Sequence, residues 1–416
     1  MKFTADFVAA LRSQFPALAR QILGQSAVFL DGPAGTQVPQ PVIDAISNYL
    51  SRHNANHGGL FPTALESDAL LDAAHVALAE FVGGCDPGEI ALGQNMTSLT
   101  FALSRALGRT WRPGDEIVVT RLDHDANFSP WVLAARDAGA TVRIVEIHRA
   151  DCTLDLDDFQ AKINPRTKLV AVGCASNSSG GVNPVRKIAD WAHAAGALVF
   201  VDAVHYAPHA LLDVTALDCD FLACSAYKFF GPHLGVLWGR RKLLEQLEAY
   251  KLRPAPDTLP GKWMTGTQSH ESIAGALAAV DYLADIGRTL SAKPDVPRRP
   301  ALAAAFSAIG DYERGLLGRL LTRLAELREI KVWGITAPER WRERVATVTF
   351  THARHSSASL AQTLGQQGIF AWHGNYYALN LSETLGNEPQ GMLRVGLVHY
   401  NTAAEVDRLL SALQAL

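Results

Sequence analysis

The sequence predicts an α/β protein: a mostly parallel central sheet flanked by helices, followed by a smaller α+β C-terminal domain. Three observations predict it. From about residue 89, short β-branched runs alternate with longer amphipathic stretches, the pattern of strands joined by crossover helices. Two of those runs, KLVAVG and ALVFVDA, are apolar on both faces, as strands covered by helices on each side must be. At 416 residues the chain is also longer than one hydrophobic core usually organises, so a second lobe is expected.

The opening stretch, MKFTADFVAALRSQFPALAR, spaces its apolar residues as a helix does and lacks the unbroken apolar core of a signal peptide. Residues 1–65 therefore read as an N-terminal segment, an amphipathic helix and an entry strand, that packs on the small domain. The large domain spans 66–290, with strands at EIALGQ, EIVVT, TVRIVEI, KLVAVG, ALVFVDA, FLACSA and LGVLWG. SAKPDVPRRP, rich in proline and charge, interrupts the pattern and marks a boundary. The small domain, 291–416, should hold a long helix near 301–328, strands at KVWGI and RVATVTFTH, a helix at 357–367, the strand MLRVGLVHY and a closing helix from 403. No internal repeat or low-complexity tract is present.

Composition excludes several classes of function. Thirty-eight basic and forty-one acidic side chains give a charge of −3 with no basic stripe, so nucleic acid is not an expected partner. No run approaches the ~18 apolar residues of a membrane span, and with no export signal the expected location is cytoplasmic. The five cysteines are odd in number and scattered without a CxxC pair, which predicts neither a disulfide frame nor a metal site.

Chemistry concentrates at two strand ends. Asp202 closes ALVFVDA, and in open α/β sheets ligands gather at the carboxyl ends of strands. Lys228 ends FLACSAYK, just before the turn Phe229-Phe230-Gly231-Pro232. Pyridoxal 5′-phosphate requires this pair: an amine that bonds to its aldehyde, helped by desolvation, and a carboxylate that keeps the pyridine nitrogen protonated. A solvated loop lysine is the alternative, but the flanking apolar strands and Asp202 oppose it. Asn95, Met96 and Thr97 lie between the strand EIALGQ and the helix TSLTFALSRAL, where free N–H groups attract an anion; a plain N-cap at Asn95 or Thr97 is equally compatible. Arg394 sits in the apolar strand MLRVGLVHY and needs an anionic partner, either a structural carboxylate or the carboxylate of a substrate.

Together these motifs resemble, over nearly all of the chain, the class-V aminotransferases, and within them the cysteine desulfurases and selenocysteine lyases. LDGPAGTQVP resembles the family's entry strand and turn, GQNMTSLTFAL its phosphate helix, LDHDAN its ring-stacking motif, SNSSGGVNP its asparagine loop and MLRVGLVHYNTAAEVDRLL its carboxylate-binding segment. The resemblance implies the fold type I pyridoxal-phosphate transferase architecture, with the cofactor on Lys228 and Asp202 at its ring nitrogen. It further implies that His124 stacks on the ring and moves protons. Asn177 would hydrogen-bond the phenolic oxygen, with a structural turn as the alternative. Asn95, Met96, Thr97, Ser225 and Tyr227 would hold the phosphate, and Arg394 the α-carboxylate of a small amino-acid substrate. Thr267, in WMTGTQ, resembles a threonine that reaches the phosphate of a neighbouring subunit, which implies a homodimer with active sites at the interface. His205 stands where desulfurases usually carry glutamine and where epimerase-like and kynureninase-like relatives carry histidine.

The pattern departs from the desulfurases after GIFAWHGNYYALNL. There the family carries a cysteine that accepts sulfur as a persulfide, and Tyr377 takes its place. A substrate-gripping arginine is likewise replaced by Trp372. Cα deprotonation by Lys228 with β-elimination, a C–S lyase reaction without an enzyme persulfide, ranks first; aminotransfer and epimerisation remain, as does a non-catalytic cofactor-binding or sulfur-relay scaffold. Phe61, Trp131, His373, Asn375 and Tyr376 are expected to line the substrate pocket.

Overall fold

The computed structural model describes residues 3–416, so the first two residues of the predicted N-terminal helix lie outside the described residues. That helix, Ala5–Arg12, is capped by the Thr4 hydroxyl and buries Val8 and Leu11. The chain then runs into a short strand, Val28–Phe29, which pairs in parallel with Ile369–Phe370 near the other end of the sequence.

Seven strands form the central sheet: β1 (Ile90–Gly93), β2 (Glu116–Thr120), β3 (Thr141–Val145), β4 (Thr167–Gly173), β5 (Leu198–Asp202), β6 (Phe221–Ser225) and β7 (Gly235–Gly239). Their spatial order is β1-β7-β6-β5-β4-β2-β3. All pairings are parallel except those of β7, which runs antiparallel to both β6 and β1. The short turn between β6 and β7 explains this: a parallel return needs a dozen or more residues, and Ala226–Leu234 is too short to supply it.

Alternate residues of each strand enter different cores. Val170, Val172, Val199, Val201, Leu222 and Cys224 face one helical layer, while Leu169, Ala171, Phe200, Phe221 and Ala223 face the other. Both sets are fully buried, which is why these runs read as continuously apolar. Predicted strand TVRIVEI is in fact two pieces: β3 ends at Val145, and Ile147–His148 forms a separate hairpin with Thr153–Leu154.

Helix His270–Ser291 ends at Ala292 in a left-handed conformation, and helix Arg298–Leu324 begins directly after Pro297, so it starts ahead of the predicted 301. Beyond it lies an antiparallel sheet of β8 (Ile330–Trp333), β9 (Thr347–His352), β10 (Trp372–Gly374) and β11 (Met392–Gly396), in the order β8-β9-β11-β10. Helices Ser357–Gln366 and Ala403–Gln414 accompany it, the latter opened by a reciprocal capping box between Thr402 and Glu405. Arg12 joins the N-terminal helix to this lobe by pairing with Glu405 at 2.9 Å. Among the described residues no helix is long and apolar enough to cross a membrane.

Candidate active site

The parallel register brings the two strand ends side by side: Asp202 lies opposite Ala223 on β6 and Gly173 on β4. Three residues beyond β6, Lys228 turns back towards Asp202, and its Nζ donates to the Pro33 carbonyl of the entry turn. Its ammonium also lies 4.8 Å from the centre of the Tyr227 ring. Burial pushes the Lys228 amine down to about 7; the nearby Arg394 charge acts in the same sense, and Asp202 opposes both. Burial likewise raises the Asp202 carboxyl to about 6, against the Val204 N–H it accepts at 2.9 Å and the charge of Lys228. An amine that is substantially neutral at pH 7 thus faces a buried acid.

Helix Met96–Gly108 starts at the same edge. Asn95 caps it by accepting the Ser98 N–H at 2.9 Å, and the Met96 N–H donates to Ser225 Oγ at 3.0 Å. Helix N-terminus and strand end are therefore joined. Gly235 permits that approach, because a Cβ there would lie 2.4 Å from the Asn95 carbonyl carbon. Thr97 is exposed on the first turn. Tyr227 stacks on His233, centroids 4.9 Å apart and planes 15° inclined. Thr267 is exposed before helix 270–291.

His124 follows β2 and is held by the Ala126 N–H, which its Nδ1 accepts at 3.0 Å. Burial first, then the charges of Lys228 and Arg394, lower its imidazole to about 4, so it is neutral at pH 7. Its ring lies against Tyr377, 5.4 Å between centroids and 28° inclined. His205 is buried and hydrogen-bonds Thr347 Oγ1 at 3.0 Å, and burial holds it neutral. Asn177 bridges the lobes: its amide donates to the Tyr376 carbonyl at 2.9 Å and its own carbonyl accepts from Arg394 Nη1 at 2.7 Å. Asn177 Oδ1 remains buried without a partner.

Arg394 projects from β11, buried, with the Tyr376 ring 4.1 Å from its guanidinium carbon. Among the described residues no carboxylate forms an ion pair with it, and its Nε is buried without a hydrogen bond. Across the sheet its direct neighbours are Thr349 on β9 and Trp372 on β10, so all three side chains share one face.

Two acids in this region were not singled out from the sequence. Asp123, immediately before His124, is buried, accepts from Asn127 Nδ2 at 3.1 Å and from the Thr120 hydroxyl, and is raised to about 7, by burial above all and with Asp202 adding to the effect. Asp31 of the entry turn is raised to about 6 by burial, opposed by Arg394, and its Oδ1 lacks a partner. The signal for both was position alone, within LDHDAN and LDGPAG. Trp131 corrects an expectation: it does not line a substrate pocket but is fully buried, packed edge-on against Phe200 and donating to Asn127 Oδ1 at 3.0 Å. A separate cavity of about 480 Å³, between Tyr206–Leu211 and helix 298–324, is bordered by the buried pair His209–Glu313, joined at 2.7 Å, and does not touch Lys228. Among the described residues no group of His, Cys, Asp and Glu is arranged to hold a metal ion.

The model of the family Aminotransferase class-V matches residues 28–295 and 301–409. A cysteine desulfurase of Serratia proteamaculans is 32% identical, the alignment covering 98% of this chain and 97% of the relative. The structure of a cysteine desulfurase from Escherichia coli superposes with a TM-score of 0.82 at 27% identity, covering 98% of each chain. The apo structure of a cysteine desulfurase from Thermococcus onnurineus shares the fold, with a TM-score of 0.86 at 24% identity over 98% of this chain and 97% of the other.

Proposed function

The chain belongs to the class-V aminotransferase family and is a pyridoxal 5′-phosphate-dependent, cysteine desulfurase-like enzyme; within that family we propose that it removes a β-substituent from a free amino acid without forming an enzyme persulfide. One observation carries the proposal. The partly buried lysine and imidazole and the buried acid and guanidinium converge, yet the loop facing them presents Tyr376 and Tyr377, and the sequence has no cysteine after Cys224. Cys152, Cys174, Cys219 and Cys224 are buried with their thiols pushed up, chiefly by desolvation, which opposes thiolate chemistry; Cys85 alone is exposed.

The donor set suits the cofactor. Lys228 offers an amine already lowered to about 7, Asp202 an acid for the ring nitrogen, and the N-terminus of helix 96–108 with Ser225 and Tyr227 a cradle for phosphate. His124 would cover the ring and Asn177 and His205 its phenolic oxygen. When bound, pyridoxal phosphate draws electrons away from the substrate's Cα. Arg394, its Nε unpaired, binds the α-carboxylate and thereby fixes which Cα bond stands across the ring. Lys228 Nζ takes the Cα proton, and Asp202 holds the proton opposite it. The Cβ–S bond then breaks with its pair going to sulfur, leaving a thiol and an enamine that water converts to keto acid and ammonia. We further propose a homodimer, since Thr267 is exposed and is free to meet the phosphate of a neighbour.

The test is a panel of amino acids, incubated with cofactor-loaded protein and with Lys228→Ala, assayed for keto acid, ammonia, sulfide and alanine. Keto acid with ammonia in equal amounts, lost in Lys228→Ala, supports elimination. Alanine with sulfide from cysteine would overturn it, as would keto acid without ammonia, the sign of aminotransfer. None of these products from any amino acid would overturn elimination, and chiral analysis then separates epimerisation, which inverts Cα, from the scaffold reading, which leaves the amino acid unchanged.

A further inference from the structure

Beside Arg394 the site is walled by rings. Trp372 stands opposite Arg394 on the adjacent strand and shares its face of the sheet, yet is 51% exposed. Tyr376 covers the guanidinium, and Tyr377, 71% exposed, lies flat against His124. Large aromatic side chains left open on residues that flank a buried cation are unlike singly scattered surface residues.

The wall is also rigid. Tyr376 and Tyr377 both adopt left-handed backbone angles, φ 56° and 59°, which bulky residues avoid unless their surroundings impose them. Four hydrogen bonds impose them here: Asn177 Nδ2 and the Asp125 N–H hold the carbonyls of Tyr376 and Tyr377 at 2.9 and 2.7 Å, and the Asn375 side chain and carbonyl hold the N–H groups of Tyr377 and Ala378 at 3.1 and 2.8 Å. A preformed aromatic surface costs a ligand little ordering entropy. Its charge is informative as well. The acids nearby are not turned to the rings: Asp202 faces Lys228, Asp125 accepts from Ser129 at 2.8 Å, and Asp31, partly buried beside Arg394, has its carboxyl raised to about 6 by desolvation. Nothing here would neutralise a cationic side chain.

Resting on the carboxylate role of Arg394 proposed above, we infer that the substrate is an amino acid whose side chain ends in an uncharged planar group, which packs between Trp372 and Tyr377 while its carboxylate sits on Arg394. A bare thiol or methyl would leave both rings wet. The group departs from Cβ with the bonding pair, so it is carried on a leaving atom such as sulfur.

The experiment titrates cofactor-loaded protein with L-phenylalanine and with L-alanine, following the visible absorbance of the bound cofactor. The ratio of the two affinities is read in the wild type, Trp372→Ala, Tyr377→Ala and the ring-preserving Trp372→Phe and Tyr377→Phe. Phenylalanine is expected to bind about tenfold or more tightly than alanine in the wild type, with the preference collapsing in both alanine variants and persisting in both phenylalanine variants. An absorbance response with no preference for phenylalanine overturns the inference alone. A preference untouched by both alanine variants also overturns it, as does a change of oligomeric state in those variants, which would make the rings a subunit contact. No response to either amino acid overturns the carboxylate role of Arg394 and this inference with it.

Discussion

Replacing Arg394 by methionine separates substrate binding from fold. In the ligand-free protein this guanidinium is buried to 4% exposure, makes one hydrogen bond, to the Asn177 carbonyl at 2.7 Å, and leans on the Tyr376 ring. Burial lowers it to about 10, evidence that its charge is poorly compensated. An apolar side chain of similar length removes that charge, so the apo variant should melt no lower than the wild type, and at a higher temperature if relief from desolvation dominates. Binding reverses the sign. With a carboxylate docked on Nε, the variant strands a buried anion, a loss of about 2–5 kcal/mol, or roughly 30-fold to several thousandfold in affinity. Full burial of the guanidinium puts the expected loss in the upper half, above about 3.5 kcal/mol or roughly several hundredfold. The assay is a visible-absorbance titration with L-alanine beside ethylamine, which lacks the carboxylate. Ethylamine should respond alike in both proteins, and Arg394→Lys should recover part of the loss, since it keeps the charge without the fork. A loss for alanine under about fivefold, or an equal loss for ethylamine, would show that the guanidinium is structural.

Three further outcomes are expected. Gly235→Ala places a Cβ 2.4 Å from the Asn95 backbone and must push the start of helix 96–108 away from Ser225, an overpacking strain of about 1–3 kcal/mol; cofactor affinity measured by equilibrium dialysis should fall, and an unchanged affinity would show that this helix end does not hold the phosphate. Lys228 has its amine lowered from 10.5 to about 7, so between those values the unfolded chain binds more protons than the folded one and the apo protein gains stability as pH rises. Lys228→Met should abolish that gain, seen as a smaller increase in melting temperature from pH 7 to pH 10; an identical increase in both proteins would refute the burial argument. Asp123 is buried with its carboxyl raised from 3.8 to about 7, so between those values the folded chain binds more protons than the unfolded one and the apo protein loses stability as pH rises; Asp123→Asn should shrink that loss, seen as a smaller fall in melting temperature from pH 4 to pH 7, and an identical fall in both proteins would refute it.

Much of the site was legible because its parts are local. Asp202 and Lys228 each end an apolar strand, and parallel neighbours align their ends without further information. The Asn95 cap, the capping box at Thr402 and the helix start after Pro297 are likewise written in a few consecutive residues. Other features depend on distant pairings. That Pro33 of the entry turn meets Lys228, or that Asp125 holds Tyr377, requires segments far apart in the chain to be folded together, and no periodicity encodes it. Trp131, expected to line the pocket, is instead turned inward by its helix to Asn127, four residues back, an orientation set by packing against Phe200 from a distant strand.

The pinned tyrosine loop bears on which reaction is possible. A group that accepts sulfur from a substrate must reach Cβ and then deliver its cargo outward, so it needs a segment that moves. Residues 375–378 are instead tied to Asp125 and Asn177, side chains and backbone from the opposite lobe, through carbonyls that the tyrosine side chains do not control. Tyr377→Cys therefore supplies the thiol without the motion. Because both ties are main-chain acceptors, the substitution leaves them in place, and the new thiol stays near His124, a neutral imidazole lowered to about 4 that does little to stabilise a thiolate. The variant, incubated with cofactor and L-cysteine, should accumulate no persulfide by intact-protein mass spectrometry and release no more alanine than the wild type. Stoichiometric persulfide with matching alanine would show that residue 377 alone, and not the anchoring around it, separates this chain from desulfuration.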